Sequence, residues 1–202
     1  RDQVTVVLSG DGGDELFGGY DRYQQIQRLE RVRRLLTPRA RRMLGAAIQG
    51  LSVQTWDRLG RSSPGTLVPS GLRHRTGYRM HKVGRLLSTE HAPDVYAALM
   101  STDNFTQELV LGNNEEAVTF PGVPLKPLQG MPPFERAMLI DTLTYLPGDL
   151  LTKVDRASMA VSLEVRVPFL HPDLFSFAWG LSHDHRLRGG QGKWLLRKLL
   201  RR

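Results

Sequence analysis

The chain has 202 residues, 40% of them hydrophobic, enough for one core-bearing domain or roughly a domain and a half. It contains no cysteine, which excludes a disulfide framework, a thiolate metal site and a cysteine nucleophile within these residues, and makes a cytoplasmic location the expectation. Formal net charge is +8, and no window approaches the length of an uninterrupted apolar membrane span.

Val4 to Leu8 is an apolar, β-branched run of strand length. It enters Ser9-Gly10-Asp11-Gly12-Gly13-Asp14-Glu15, which interleaves glycines with acids, and a segment of helical composition follows. The order strand, loop, helix puts chemistry at the carboxyl end of a strand, where α/β proteins place their ligands. Gly10, Gly12 and Gly13 let a ligand approach the main chain, whose N–H groups can receive phosphate oxygens. Asp11, Asp14 and Glu15 crowd negative charge into the same loop, so phosphate binding there calls for a divalent cation. Magnesium suits, because it takes one or two carboxylates and leaves its other positions to water and phosphate oxygen. On composition alone the alternative is an ordinary turn, with solvated acids favouring the positive end of the next helix.

From Asp21 to Leu36 the apolar positions Ile26, Leu29, Val32, Leu35 and Leu36 recur at helical spacing, which predicts a long helix with one buried face, broken at Thr37-Pro38. A second amphipathic helix is expected over 39–51, a loop over 60–71, and further helices over 74–87 and 94–100. His74 and His81, seven apart, read as core or surface residues rather than ligands. The proline-rich stretch 121–133 reads as a connecting segment. Helices are expected from Phe134 to Leu146 and, after a break at Pro147-Gly148, from an Asp149 cap to about Leu163. Leu150, Val154, Ala157 and Val161 would form the inward stripe of the latter, leaving Lys153, Asp155 and Arg156 available to a cleft.

Pro168 forces Glu164 to Val167 into extended backbone, with Glu164 and Arg166 on one side as a salt bridge or as ligand contacts. His183 and His185 read as loop histidines. Gly189 to Gly192 form a flexible loop that delivers Lys193 to a helix start, where a ligand anion would offset the unfavourable placement of a cation. Arg28, Arg31, Arg33, Arg34, Arg39, Arg41 and Arg42, with Arg197, Lys198, Arg201 and Arg202, read as a solvated face or a surface toward acidic parts of a longer protein. No aromatic stacking platform accompanies them, which disfavours nucleic acid. The first residue, Arg1, is not an initiator methionine, and a piece of a longer protein is expected.

Ser-Gly-Asp-Gly-Gly-Asp-Glu-Leu-Phe-Gly-Gly-Tyr at 9–20 closely resembles the second signature of the asparagine synthase family, in its ATP-dependent synthetase domain. The run from Leu146 to Ala160, continuing through Ser162 to Leu170, is similar to that family's other strong block, and Gly192-Lys193 followed by Leu195-Leu196-Arg197 is similar to a third. The resemblance implies that a carboxylate is activated as an acyl-adenylate and that ammonia from glutamine then displaces AMP. Ser9 and Gly10 would contact ATP and Asp14 would help hold Mg2+. Asp11 would take a proton from the attacking nitrogen, at a position where asparagine synthetases commonly carry glutamate. Glu15, Asp155, Arg156, Glu164, Arg166 and Lys193 are further cleft candidates, as substrate contacts or structural groups.

Two departures stand beside the likeness. The family's first nucleotide signature, Ser-Gly-Gly-x-Asp-Ser, is missing, and a catalytic lysine that follows the Lys193 helix would fall beyond Arg202. The glutaminase domain, with its amino-terminal cysteine, must also lie elsewhere. These residues assayed alone are therefore expected to make neither asparagine nor AMP. The acceptor can be aspartate or another carboxylate, as in surface-polysaccharide or secondary-metabolite pathways. A basic nucleic-acid-binding module and a non-catalytic scaffold are the other readings. The expected fold is mainly α with one or two strands, part of an α/β synthetase domain of the adenine nucleotide alpha-hydrolase type. It divides into a strand and nucleotide loop (1–20) and helical regions (21–133 and 134–202). Its unpaired sheet edges call for partners, by homo-oligomerisation or from the rest of the protein.

Overall fold

The computed structural model describes residues 4–62, 76–89, 92–100, 128 and 130–201. The described backbone is mainly helical with two short strands, and it forms two compact units, Arg1–Gln27 with Thr119–Arg202 and Arg28–Val118. In chain order the elements are β1 (Val6–Leu8), α1 (Gly13–Phe17), α2 (Asp21–Leu35), α3 (Pro38–Gly50), α4 (Val53–Ser62), α5 (Thr76–Ser88) and α6 (Ala92–Met100). There follow α7 (Pro133–Leu143), a π-helical turn (Leu146–Leu151), α8 (Thr152–Met159), β2 (Glu164–Arg166) and a 3-10 turn (Pro168–Leu170). Then come α9 (Pro172–Gly180), α10 (His183–Arg186) and α11 (Trp194–Leu200).

In the first unit β1 and β2 pair in parallel, with Val6 opposite Glu164, Val7 opposite Val165 and Leu8 opposite Arg166. The ladder extends at both ends, Glu164 N donating to Thr5 O at 2.9 Å and Ser9 N to Arg166 O at 2.9 Å. Leu16 and Phe17 on α1 are buried with Ala178 on α9, and Phe169, Leu174, Trp179 and Leu195 pack around them. Phe134 at the start of α7 is fully buried and meets the Tyr23 ring edge-on at 5.7 Å. This core holds the loop after β1 between the β2 segment and α11.

The second unit is a helical cluster packed through glycines. Arg33 on α2 is buried because its guanidinium donates to the carbonyls of Leu86 and Thr89, which close the end of α5. Trp56 Nε1 donates to Ile48 O at 2.9 Å, and Gly77 N to Asp57 Oδ1 at 2.8 Å. A Cβ on Gly77 would lie 2.2 Å from the carbonyl oxygen of Val53. That neighbour is backbone and cannot rotate away, so Gly77→Ala is expected to cost about 1–3 kcal/mol. A denaturation midpoint unchanged from wild type would rule out so close an approach of α4 and α5.

The helices expected over 39–51, 74–87 and 94–100 are α3, α5 and α6, displaced by a residue or two at their ends. Thr37-Pro38 ends one helix and starts the next: Ala40 N donates to Thr37 Oγ1 at 3.2 Å, with Pro38 in the first turn. The loop expected over 60–71 is overturned at 60–62, which form the last turn of α4; residues 63–71 of it, His74, and residues 121–127 and 129 of the proline-rich segment lie outside the described residues.

The face expected to be buried on α2 is not the one observed, since Val32 and Leu35 are exposed, and Arg33, expected on a solvated or outward surface, is buried because it caps carbonyls at the end of α5. Four further expectations are corrected. Pro147-Gly148 does not break the helical path but enters a π turn, where a proline near the start lacks only an N–H that needs no partner, and Thr152 Oγ1 donates to Pro147 O at 2.8 Å. Asp149 is consequently not a cap; it accepts from Lys153 Nζ at 2.7 Å. The stripe expected on α8 is not buried: Ala157 is exposed, Val161 lies beyond the helix end, 58% exposed, and no residue of α8 is buried. His183 and His185 belong to the short helix α10 rather than a loop, and His183 Nδ1 lies 3.2 Å from Glu135 Oε1.

Candidate active site

The loop is shaped by its own polar groups and by two glycines packed against the segment that follows β2. Ser9 Oγ donates to Asp11 Oδ2, and Asp11 N lies 3.4 Å from Ser9 Oγ, so the Asp11 carboxylate is folded back over the carboxyl end of β1. Gly13 N donates to Gly10 O at 3.3 Å and Leu16 N to Gly12 O at 3.0 Å, closing the turn into α1. Gly12 has φ +82°, and a Cβ there would meet the Leu170 side chain at 2.7 Å. Gly13 sits against the Phe169 ring. Among the described residues nothing lies within 4 Å of the corresponding point at Gly10, so they leave the main chain there uncovered.

The third sequence block arrives on the same loop. Lys193 N donates to Phe17 O at 3.0 Å, and Lys193 Nζ lies 2.9 Å from Asp14 Oδ1, both side chains about one-third exposed (28% and 35%). Two glycines permit this approach. A Cβ on Gly192 would stand 2.3 Å from Gly18 O, and one on Gly19 would stand 1.8 Å from Asp14 Oδ1 and 2.4 Å from Lys193 Cε. Lys193 itself takes a left-handed backbone, φ +54°, unusual for a residue with a side chain. The sequence reading places Gly19 in the 9–20 signature and Gly192 in the loop that delivers Lys193, but gives neither a packing role. Their signal is positional, since each adjoins a residue of interest and only the fold shows why a methyl group is refused.

Behind the loop lies a buried polar group. Glu15 is 0% exposed, and Tyr20 Oη donates to its Oε1 at 2.9 Å. Burial pushes the Glu15 carboxyl above its ordinary range; hydrogen bonds from its own backbone and from Tyr20 oppose this, and Asp14 and Asp141 add to it. The Tyr20 hydroxyl is pushed upward too, first by burial and then by the neighbouring carboxylate. The Arg22 guanidinium stacks over the Tyr20 ring at 3.8 Å and reaches Asp141, fully buried on α7, at 2.9 Å.

Ser9, Asp11 and Asp14 thus share one loop at the end of β1, met there by Lys193 from the start of α11, with Gly10 open beside them. Arg166 Nε donates to Glu164 Oε1 at 2.8 Å in an exposed pair on β2, the salt-bridge arrangement of the two alternatives, worth about 0–1 kcal/mol. Asp155 and Arg156 are exposed on α8, and among the described residues no side-chain hydrogen bond or ion pair joins them to the loop. As a cation site, the loop supplies hard carboxylate oxygens, but the described residues contain no cluster of three or more His, Asp or Glu able to enclose a metal. That donor set fits Mg2+ carried on a polyphosphate better than a dedicated protein cage.

A family model described as asparagine synthase matches residues 1–202. A Mycobacterium tuberculosis protein provisionally named a glutamine-hydrolysing asparagine synthetase is 32% identical over 204 residues, covering 99% of this chain and 28% of its own length. Glutamine-hydrolysing asparagine synthetase 1 of Bacillus subtilis is 27% identical over 201 residues, covering 98% of this chain and 28% of its own. The chain therefore spans little more than a quarter of these relatives. No solved structure gave a significant match.

Proposed function

The chain belongs to the asparagine synthase family, and on that premise we propose that it forms the nucleotide and metal end of an ATP-dependent amidotransferase site in a longer protein. One observation supports this most: three blocks far apart in sequence converge on one loop. β2 pairs with β1, Phe169 and Leu170 pack under Gly12 and Gly13, and Lys193 meets Asp14 at 2.9 Å. Surface turns with solvated acids have no need of such convergence.

In the proposed reaction a carboxylate oxygen attacks the α-phosphorus of ATP, and the bond to pyrophosphate breaks. Ammonia released from glutamine elsewhere in the protein then attacks the acyl carbon, and AMP leaves. Ser9 Oγ and the open main chain at Gly10 contact the nucleotide. Asp14 holds Mg2+, which when bound offsets the charge of the polyphosphate. Lys193 faces the same region as a cation for the departing pyrophosphate oxygens. Asp11, pinned by Ser9, accepts the proton from the attacking nitrogen, general-base help worth about a hundred- to ten-thousand-fold. The remaining nucleotide contacts, the glutaminase and the strands that would cover exposed Val4 and the exposed β1 residues Val6 and Leu8 come from the rest of the protein.

Asp11→Ala in the full-length protein tests the assignment. Amide formation with ATP, Mg2+, glutamine and the acceptor should fall by at least about a hundredfold; unchanged synthesis would show that this loop is not the reacting site. The residues described here, assayed alone, should yield no AMP. Aspartate at position 11 favours a second reading within the same chemistry, an acceptor other than aspartate, which product analysis of the full-length enzyme decides.

A further inference from the structure

We propose that Tyr20 is the positioning residue of this site: its hydroxyl, held on Glu15, fixes the short helix that presents Asp14. The inference rests on the amidotransferase reading above and assigns a role that the chemistry leaves open. Glu15 follows Asp14 on α1, is wholly buried, and has a second carboxylate oxygen, Oε2, with no hydrogen-bond partner among the described residues. Besides the bond from its own backbone, the carboxylate is held by a side-chain donor on another residue, Tyr20, so its tie to the rest of the fold runs through that hydroxyl. α1 has only five residues, too few to hold its own register, so its orientation comes from such tethers.

Tyr20 is itself anchored. Its ring lies beneath the Arg22 guanidinium at 3.8 Å and meets the Tyr145 ring edge-on at 6.2 Å, while Arg22 stacks over Tyr145 at 4.8 Å and pairs with Asp141. The loop is therefore tied to α7 through a path of Asp141, Arg22, Tyr20 and Glu15. On the other side Gly19 N donates to Asp14 O at 2.9 Å, so a shift of Tyr20 is passed to Asp14 through the intervening turn.

The test uses the full-length enzyme well below its melting temperature and compares three variants by AMP release. Tyr20→Phe should lower kcat by about tenfold and raise the Mg2+ concentration for half-maximal rate by about threefold, with glutamine hydrolysis and its KM unchanged. Glu15→Gln keeps an acceptor for Tyr20 and should stay within about threefold of wild type. Gly77→Ala, in the other unit, loses comparable stability and should leave both parameters alone. A Mg2+ profile for Tyr20→Phe that overlays wild type, or one that Gly77→Ala reproduces, overturns the proposal. So does loss of activity in Glu15→Gln with Tyr20→Phe active, since Glu15 would then act directly. Failure of the parent reading looks different: wild type would release no AMP, or Asp14→Asn would match it.

Discussion

Asp14→Asn in the full-length protein is expected to reduce ATP-dependent AMP release by about a hundredfold or more while shifting the melting temperature little. The reasoning separates two contributions of the same carboxylate. Its pair with Lys193 is one-third exposed on both sides, so solvent screens it and its share of stability is about 1 kcal/mol at most. In the proposed reaction its charge would act toward a metal-bound polyphosphate, where one aimed electrostatic group is commonly worth about 2.7–4 kcal/mol of barrier. Asparagine keeps the shape that Gly19 accommodates, so the backbone has no cause to move. Lys193 is left facing a neutral amide, and its own substitution by Met should lose rate in the same direction. Rates within about twofold of wild type for Asp14→Asn would remove the metal from this position.

The largest stability effect is expected at Phe134. The ring is 0% exposed, edge-on to Tyr23 at 5.7 Å and to His183 at 4.8 Å, and truncation to alanine should cost about 3–5 kcal/mol. Gly18 gives a second handle on the same contact. It ends α1 at φ +67°, and a Cβ there would lie 2.5 Å from Phe134 Cζ. Gly18→Ala alone therefore meets a left-handed backbone cost of about 1 kcal/mol together with overpacking of about 1–3 kcal/mol. In a Phe134→Ala background the space is vacated and only the backbone cost remains. Urea unfolding of the two singles and the double should show a coupling of about 1–3 kcal/mol in the relieving direction. Additive losses would mean that the α1 terminus does not rest on α7.

The candidate loop was readable from sequence where its geometry is local. Ser9 to Glu15 carries its own turn, because glycines and short polar side chains specify loop geometry within a few residues. The long helices α2, α3 and α5 were readable as helices, but not the buried face of α2: Val32 and Leu35 of the expected apolar stripe are exposed, whereas Tyr23, Glu30 and Arg33 are buried. The pairing of β1 with β2 was not readable, because three-residue strands carry no period long enough to reveal a partner. Nor was the approach of Lys193 to Asp14, which depends on Gly18, Gly19 and Gly192 giving way to one another across a turn, a matter of clearances rather than of residue pattern. α9 was overlooked because its Phe175, Phe177 and Trp179 are weak helix formers in a segment of nine residues bounded by Pro172 and Gly180. The misjudged stripe on α8 has a similar origin. Apolar spacing marks a face that could be covered, and what covers it is decided by neighbours that spacing does not describe.

The parallel union of β1 with β2 has a bearing on how the molecule comes together. Val7 finds Val165 across most of the polypeptide, so the order lost in bringing them together is that of a very long loop, growing by about 0.6 kcal/mol for each doubling of its length. Contacts of such wide separation form slowly, after the local helices. On the ribosome Ser9 to Asp14 emerges ahead of Arg166 and Lys193 and must wait for both before it acquires its geometry, so the loop takes its final shape only once those segments have left the tunnel.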